Sequence, residues 1–173
     1  AAQTQDVKGL ILMGANSRPM EDLMLEQIEY LSSQEKPSPE ITNMVDSVRR
    51  GVKRVKELTK EDMNDSMGVL GIPVSYWLDL KTYDPVKSAA QLKLPILVLS
   101  GARDYQVTEK DFSLWTSGLK DSPNASFRTY PKANHLFING EGKSLPAEYD
   151  LPGHVDKAII DDISSFILNG KLN

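Results

Sequence analysis

Thirty-one positions separate Asp104 from His135. The acid follows the apolar stretch Leu94-Pro95-Ile96-Leu97-Val98-Leu99-Ser100, and the base follows the next strand-like stretch, Ala125-Ser126-Phe127-Arg128-Thr129-Tyr130. An aspartate that accepts a hydrogen bond from one imidazole nitrogen fixes the tautomer of the ring and stabilises its cation, leaving the other nitrogen to act as a general base on a hydroxyl. In this order, acid then base, the pair implies a serine upstream. No Gly-x-Ser-x-Gly occurs in the 173 residues. Ser100 ends a strand but precedes the turn to Asp104, and Ser17 follows the first apolar run without flanking glycines. The nucleophile is therefore expected before Ala1. The start itself, Ala1-Ala2-Gln3-Thr4-Gln5-Asp6, reads as an internal cut.

Each residue also has a plainer reading. An Asp in the glycine-containing loop Ser100-Gly101-Ala102-Arg103-Asp104 can be a turn former or a helix cap. The chain has two histidines, and either can be a hydrogen-bonded structural residue. For His154, in Pro152-Gly153-His154-Val155 before the last helix, a cap or loop clamp is the preferred reading. His135 is preferred as the base because its loop lies just beyond a strand end, where it can meet Asp104 at one sheet edge. A His–His metal site lacks a ligand spacing such as His-Glu-x-x-His, and no metal or cofactor is expected.

The elements that must position this pair alternate in the βα manner. Val7-Lys8-Gly9-Leu10-Ile11-Leu12-Met13-Gly14 and the stretch 94–100 are read as strands buried on both faces, and 125–130 as a strand near a sheet edge. Ser17-Arg18-Pro19 is read as a helix start, and Ser38-Pro39-Glu40 as another, whose Ile41, Val45, Val48, Val52 and Val55 form one narrow apolar seam. Asp84-Pro85 opens a helix through Leu92. Thr108 with Asp111 opens one through Leu119, and Val155 to Ile167 forms a closing helix. This pattern predicts an α/β fold with a parallel sheet covered by helices. Residues 41–83 fall outside the βα rhythm and are a candidate lid. Within them Tyr76 and Trp77 are candidate substrate-binding residues, although aromatics beside Leu78 and Leu80 also suit simple packing.

Composition narrows the partners. With 24 acidic against 20 basic residues the net charge is −4, which gives no general attraction to nucleic acid or anionic membrane. The basic run Arg49 to Lys56 has no interleaved aromatics and is read as a solvated helix face. No apolar run reaches the length of a membrane span. The absence of cysteine excludes thiol chemistry and leaves the compartment open.

The stretch Leu94 to Val107, together with Tyr130-Pro131 and Asn134-His135-Leu136-Phe137, resembles the acid-strand and histidine-loop motifs of α/β-hydrolase-fold serine esterases, in particular the dienelactone-hydrolase-like bacterial carboxylesterases. Val7 to Leu12 with Asn16 is similar to that family's sixth strand, and Glu148-Tyr149-Asp150-Leu151-Pro152-Gly153-His154-Val155 matches the subgroup's tail. The resemblance implies that residues 1–173 form a single partial domain, the C-terminal portion of the α/β-hydrolase fold. It would hold three parallel strands, the sixth to eighth, with flanking helices and a helical lid insertion. It implies carboxylic ester hydrolysis through an acyl-serine in the intact parent, with Asp104 and His135 as the catalytic acid and base. A small-molecule ester would be the substrate, and the isolated chain would be inactive. A non-catalytic binding module with the same sheet edge is the alternative. Val7–Met13, normally interior, would be open to pairing with a second copy or with a cleaved N-terminal partner.

Overall fold

Ile96, Leu97, Val98 and Leu99 carry no polar atom outside the backbone, so a strand built from them is stable where both of its faces are covered. The computed structural model describes residues 6–64 and 67–172. Its elements run β1 (Leu10–Met13), α1 (Met20–Ser32), α2 (Pro39–Glu57), α3 (Val74–Leu80), α4 (Pro85–Ala90), β2 (Ile96–Gly101), α5 (Glu109–Gly118), β3 (Ala125–Tyr130) and α6 (Lys157–Asn169). Single 3-10 turns lie at Lys60–Asn64 and Pro146–Asp150.

The three strands form one parallel sheet in the order β1-β2-β3, and every residue of the central β2 is buried. Register pairs Leu10 with Ile96 and Met13 with Leu99 on one side, and Ile96 with Ala125 and Gly101 with Tyr130 on the other. Side chains of β2 alternate between two cores, as the pleat requires. Leu97 and Leu99 pack with Tyr130, Ala133, Phe137, Ile159 and Phe166, so α6 covers that face. Ile96 and Val98 pack with Ala89, Trp115 and Leu119, which places α4 and α5 on the other. Burying each such aliphatic side chain contributes about 1.5–3 kcal/mol.

Three expectations change. The first strand is four residues long and pairs on one side only among the described strands. Its residues Leu10, Ile11 and Leu12 are therefore half-buried and Met13 is exposed, where the apolar run reads as a strand buried on both faces. Ser17 does not open α1, which starts at Met20 behind Pro19. Its backbone N–H instead donates to the Oδ1 of buried Asp111 at 2.8 Å, and its hydroxyl donates to the same carboxylate at 3.1 Å. Asp156, rather than His154, caps α6 by accepting from the Ala158 N–H at 2.7 Å, and His154 is exposed.

The described chain divides into two compact units, one of them Arg18–Asp84 and the other the remainder. The helical unit thus takes in α1 as well as the 41–83 stretch. Ser38 caps α2 with its side chain accepting from the Ile41 N–H, and Val52 and Val55 of the expected seam are buried. The basic face of α2 is largely paired: Arg49 with Glu29 and Asp46, Arg54 with Asp62, Lys56 with Asp22. These exposed pairs add little stability. No helix among the described residues is long and apolar enough to cross a membrane.

Candidate active site

The carboxyl ends of all three strands converge on Asp104 and His135. β2 leaves the sheet through Gly101, where a Cβ would lie 2.4 Å from the Ala133 carbonyl oxygen and 2.8 Å from that of Asn134. Only glycine lets the acid loop pass so near the histidine loop. Backbone bonds then join the two loops: Ala102 N–H donates to the Tyr130 carbonyl and Arg103 N–H to the Ala133 carbonyl, both at 3.0 Å.

Asp104 is held through both oxygens. Its Oδ1 accepts from the backbone N–H of Gln106 at 2.8 Å and of Val107 at 3.0 Å, while Oδ2 lies 2.7 Å from Nδ1 of His135. The Asp104 side chain is 0% exposed and the His135 side chain 30%, so the carboxylate is sealed while the ring reaches solvent. β1 completes the enclosure. Gly14, at φ +53°, comes so near that a Cβ would lie 3.1 Å from His135 Nδ1 and 3.3 Å from Asp104 Oδ2. The hydrogen bond to Asp104 raises the pKa of His135 above the usual histidine value, against the opposing effect of burial. With Nδ1 engaged by the carboxylate, Nε2 is the nitrogen left to exchange a proton with a reactant.

The loop carrying His135 is wound around Asn134, which is buried. Asn134 Oδ1 accepts from the N–H of Leu136 at 3.0 Å and of Ile138 at 3.2 Å. This winding puts Phe137 at φ +58°, a left-handed conformation that costs on the order of 1–3 kcal/mol for a non-glycine residue. Burial of the Phe137 ring edge-on to Tyr130, with centroids 6.3 Å apart, offsets it.

Arg103, directly before the acid, reaches across the same loop. It donates to the backbone carbonyls of Gly142 at 3.0 Å and Glu141 at 3.1 Å and pairs with the Glu148 carboxylate. Burial raises the pKa of Glu148, but the hydrogen bonds from Arg103 and Asn134 outweigh it and hold the carboxyl below its usual range. On the far side of Asp104, Gln106 donates to the Tyr149 hydroxyl at 2.9 Å, and the Tyr105 and Tyr149 rings stack with centroids 6.4 Å apart. Sequence reasoning noticed Glu148 and Tyr149 but gave them no task. No spacing rule signals the pairing, because Arg103 and Glu148 lie 45 positions apart and meet only through tertiary folding.

Tyr76 and Trp77 differ from each other. Tyr76 is half exposed and lines a shallow concavity of the helical unit with Met20, Ile72, Pro73 and Ser75. Trp77 is fully buried with Val55, Leu58, Val69 and Val74, and its indole N–H donates to the Val69 carbonyl at 2.9 Å. It therefore presents no surface to a ligand. Ser100 is buried within β2. Among the described residues, no three His, Asp or Glu side chains group as a metal site.

An Asp–His pair at the carboxyl edge of a helix-covered parallel sheet, with the acid after one strand and the base after the next, is the arrangement of α/β-hydrolases. Residues 62–158 match the sequence profile of the dienelactone hydrolase family. The chain belongs to that family. It is 35% identical over 167 residues to Esterase EstD of Thermotoga maritima, an alignment covering 96% of this chain and 39% of that protein. The chain thus spans well under half the length of this curated relative. A solved thermophilic esterase overlaps 75% of this chain and 49% of its own, at 19% identity and a TM-score of 0.34.

Proposed function

We propose that the protein to which this chain belongs hydrolyses carboxylic esters through an acyl-serine, and that this chain supplies the acid, Asp104, and the base, His135. The observation that carries the reading is the 2.7 Å contact between Asp104 Oδ2 and His135 Nδ1, made by a carboxylate whose other oxygen is fixed by two backbone N–H groups. Membership of the dienelactone hydrolase family and the likeness to Esterase EstD support hydrolase chemistry in general. His135 Nε2 takes the proton of a serine hydroxyl as its oxygen adds to the ester carbonyl. The imidazolium returns that proton to the departing alkoxide, and the ring then activates water to release the acid.

The serine and the oxyanion donors are assigned to sequence outside these residues, since no Gly-x-Ser-x-Gly is present. In this proposal the insertion 41–83 acts as a lid, with Tyr76 as a candidate substrate-binding residue and Trp77 as a core residue of the helical unit. The open side of β1 is where a further strand pairs, from another segment of the protein or from a second copy.

Turnover of p-nitrophenyl acetate tests the reading. The product of the complete reading frame should hydrolyse it, and the 173-residue chain should not, because loss of the serine alone costs about 10⁶-fold. Turnover by the repurified 173-residue chain, or none by the full product, would contradict it.

A further inference from the structure

Glu148 binds the residue before the acid and the residue before the base at once. One carboxylate oxygen, Oε1, takes the guanidinium of Arg103, and the other, Oε2, accepts from Asn134 Nδ2 at 3.1 Å. Arg103 immediately precedes Asp104, and Asn134 immediately precedes His135. The Arg103 side chain is 8% exposed, the Glu148 side chain 25% and Asn134 1%, so the bridge is partly buried, with its two donors inside and its carboxylate reaching solvent. The buried Ser144 adds a long contact to Oε2 at 3.5 Å.

Both flanking residues are in turn tied to their own loops. Arg103 holds the carbonyls of Glu141 and Gly142, and Asn134 organises the N–H groups of Leu136 and Ile138. One side chain therefore connects the two loops whose separation sets the length of the Asp104–His135 hydrogen bond. A single covalent step from each anchor leads to a member of the pair.

We propose that Glu148 is a positioning residue: its carboxylate bridges Arg103 and Asn134 and thereby sets the distance and alignment of Asp104 against His135. The inference rests on the acid–base reading of that pair. Arg103 and Asn134 Nδ2 are both donors, so the bridge needs an acceptor at each oxygen. Glutamine offers one acceptor and one donor and loses one arm. Aspartate keeps the charge but is one methylene shorter, and cannot span the two donors without pulling the loops. Loss of a group that orients a metal-ligating histidine costs about 10–100-fold, and a drop of the same order is expected for a group that orients this acid–base pair.

Two measurements test this. In the full-length product, Glu148→Gln and Glu148→Asp are each expected to lower kcat for p-nitrophenyl acetate by about 10–100-fold while KM changes by less than about two-fold. In an Asp104→Asn background the same replacements should cost nothing further, because Glu148 acts through that pair. In the 173-residue chain, whose two histidines make the imidazole spectrum simple, the Nδ1-bound proton of His135 should broaden or shift in both variants while exposed His154 stays unchanged.

An unchanged kcat, an equal loss in the Asp104→Asn background, or an unchanged His135 proton signal would each overturn the proposal. A full-length product without esterase activity would sink the functional reading, and the His135 signal would still decide the role of Glu148.

Discussion

In the full-length product, Asp104→Asn is expected to lower kcat for the proposed ester hydrolysis by about 10⁴-fold while leaving the fold intact. The reason lies in how the carboxylate is held. Oδ1 accepts from two backbone N–H groups, those of Gln106 and Val107, and an asparagine in this site keeps its carbonyl oxygen there. Its NH₂ is then placed where Oδ2 stood, 2.7 Å from His135 Nδ1. A donor at that position requires Nδ1 to be the bare nitrogen, so the ring proton moves to Nε2 and the ring can no longer take a proton from serine.

The same substitution alters how stability depends on pH. Asp104 raises the folded-state pKa of His135. A raised value contributes stability that is fully present below the unfolded histidine pKa, about 6.5, and is lost as pH rises through the folded value. The gap in urea midpoint between the parent and Asp104→Asn should therefore be wider near about pH 5.5 than near about pH 9. A gap that widened toward alkaline pH would mean that the carboxylate does not stabilise the imidazolium.

Trp77→Ala is expected to destabilise the helical unit by about 3–5 kcal/mol. The side chain is fully buried among Val55, Leu58, Val69 and Val74, and its removal leaves both a cavity and a Val69 carbonyl without the indole N–H. Trp77→Phe, which keeps most of the ring, should cost less, with the lost hydrogen bond contributing on the order of 1 kcal/mol. Unfolding followed by far-ultraviolet circular dichroism reads the helices. Trp115, the second of two tryptophans, reports by fluorescence on the sheet-bearing unit. If Trp77 lined a substrate pocket, Trp77→Ala would instead raise KM and leave the unfolding midpoint in place.

The parts of the fold that were legible in the sequence are those where one physical requirement dominates. Ile96 to Leu99 form an uninterrupted apolar run too short for a helix, and a buried parallel strand satisfies it. Ser38-Pro39 supplies a cap and a first-turn proline, and α2 starts there. Asp104 and His135 were legible because each follows a strand end, and strands that run parallel deliver their carboxyl ends to one edge. Less legible were the choices between local partners. Ser17 could cap α1 or bind a distant carboxylate, and Asp111 is 94 positions away in the chain. Asp156 and His154 both precede α6, and only the backbone path decides which one caps it. Tyr76 and Trp77 are neighbours on one helix, and adjacent positions point in directions about 100° apart, so a pair of aromatics does not say which ring faces inward. Glu148 was hidden for the same reason as Ser17: its partners meet it through tertiary folding, without a spacing rule.

Labelling the full-length product with a fluorophosphonate, followed by peptide mapping, tests most directly whether this chain provides the acid and base for a serine it does not contain. One labelled serine, lying outside the 173 residues, is the expected result, with labelling lost in His135→Ala. Label on Ser17, Ser100 or any other serine of this chain, or labelling that survives His135→Ala at the parent rate, would contradict it.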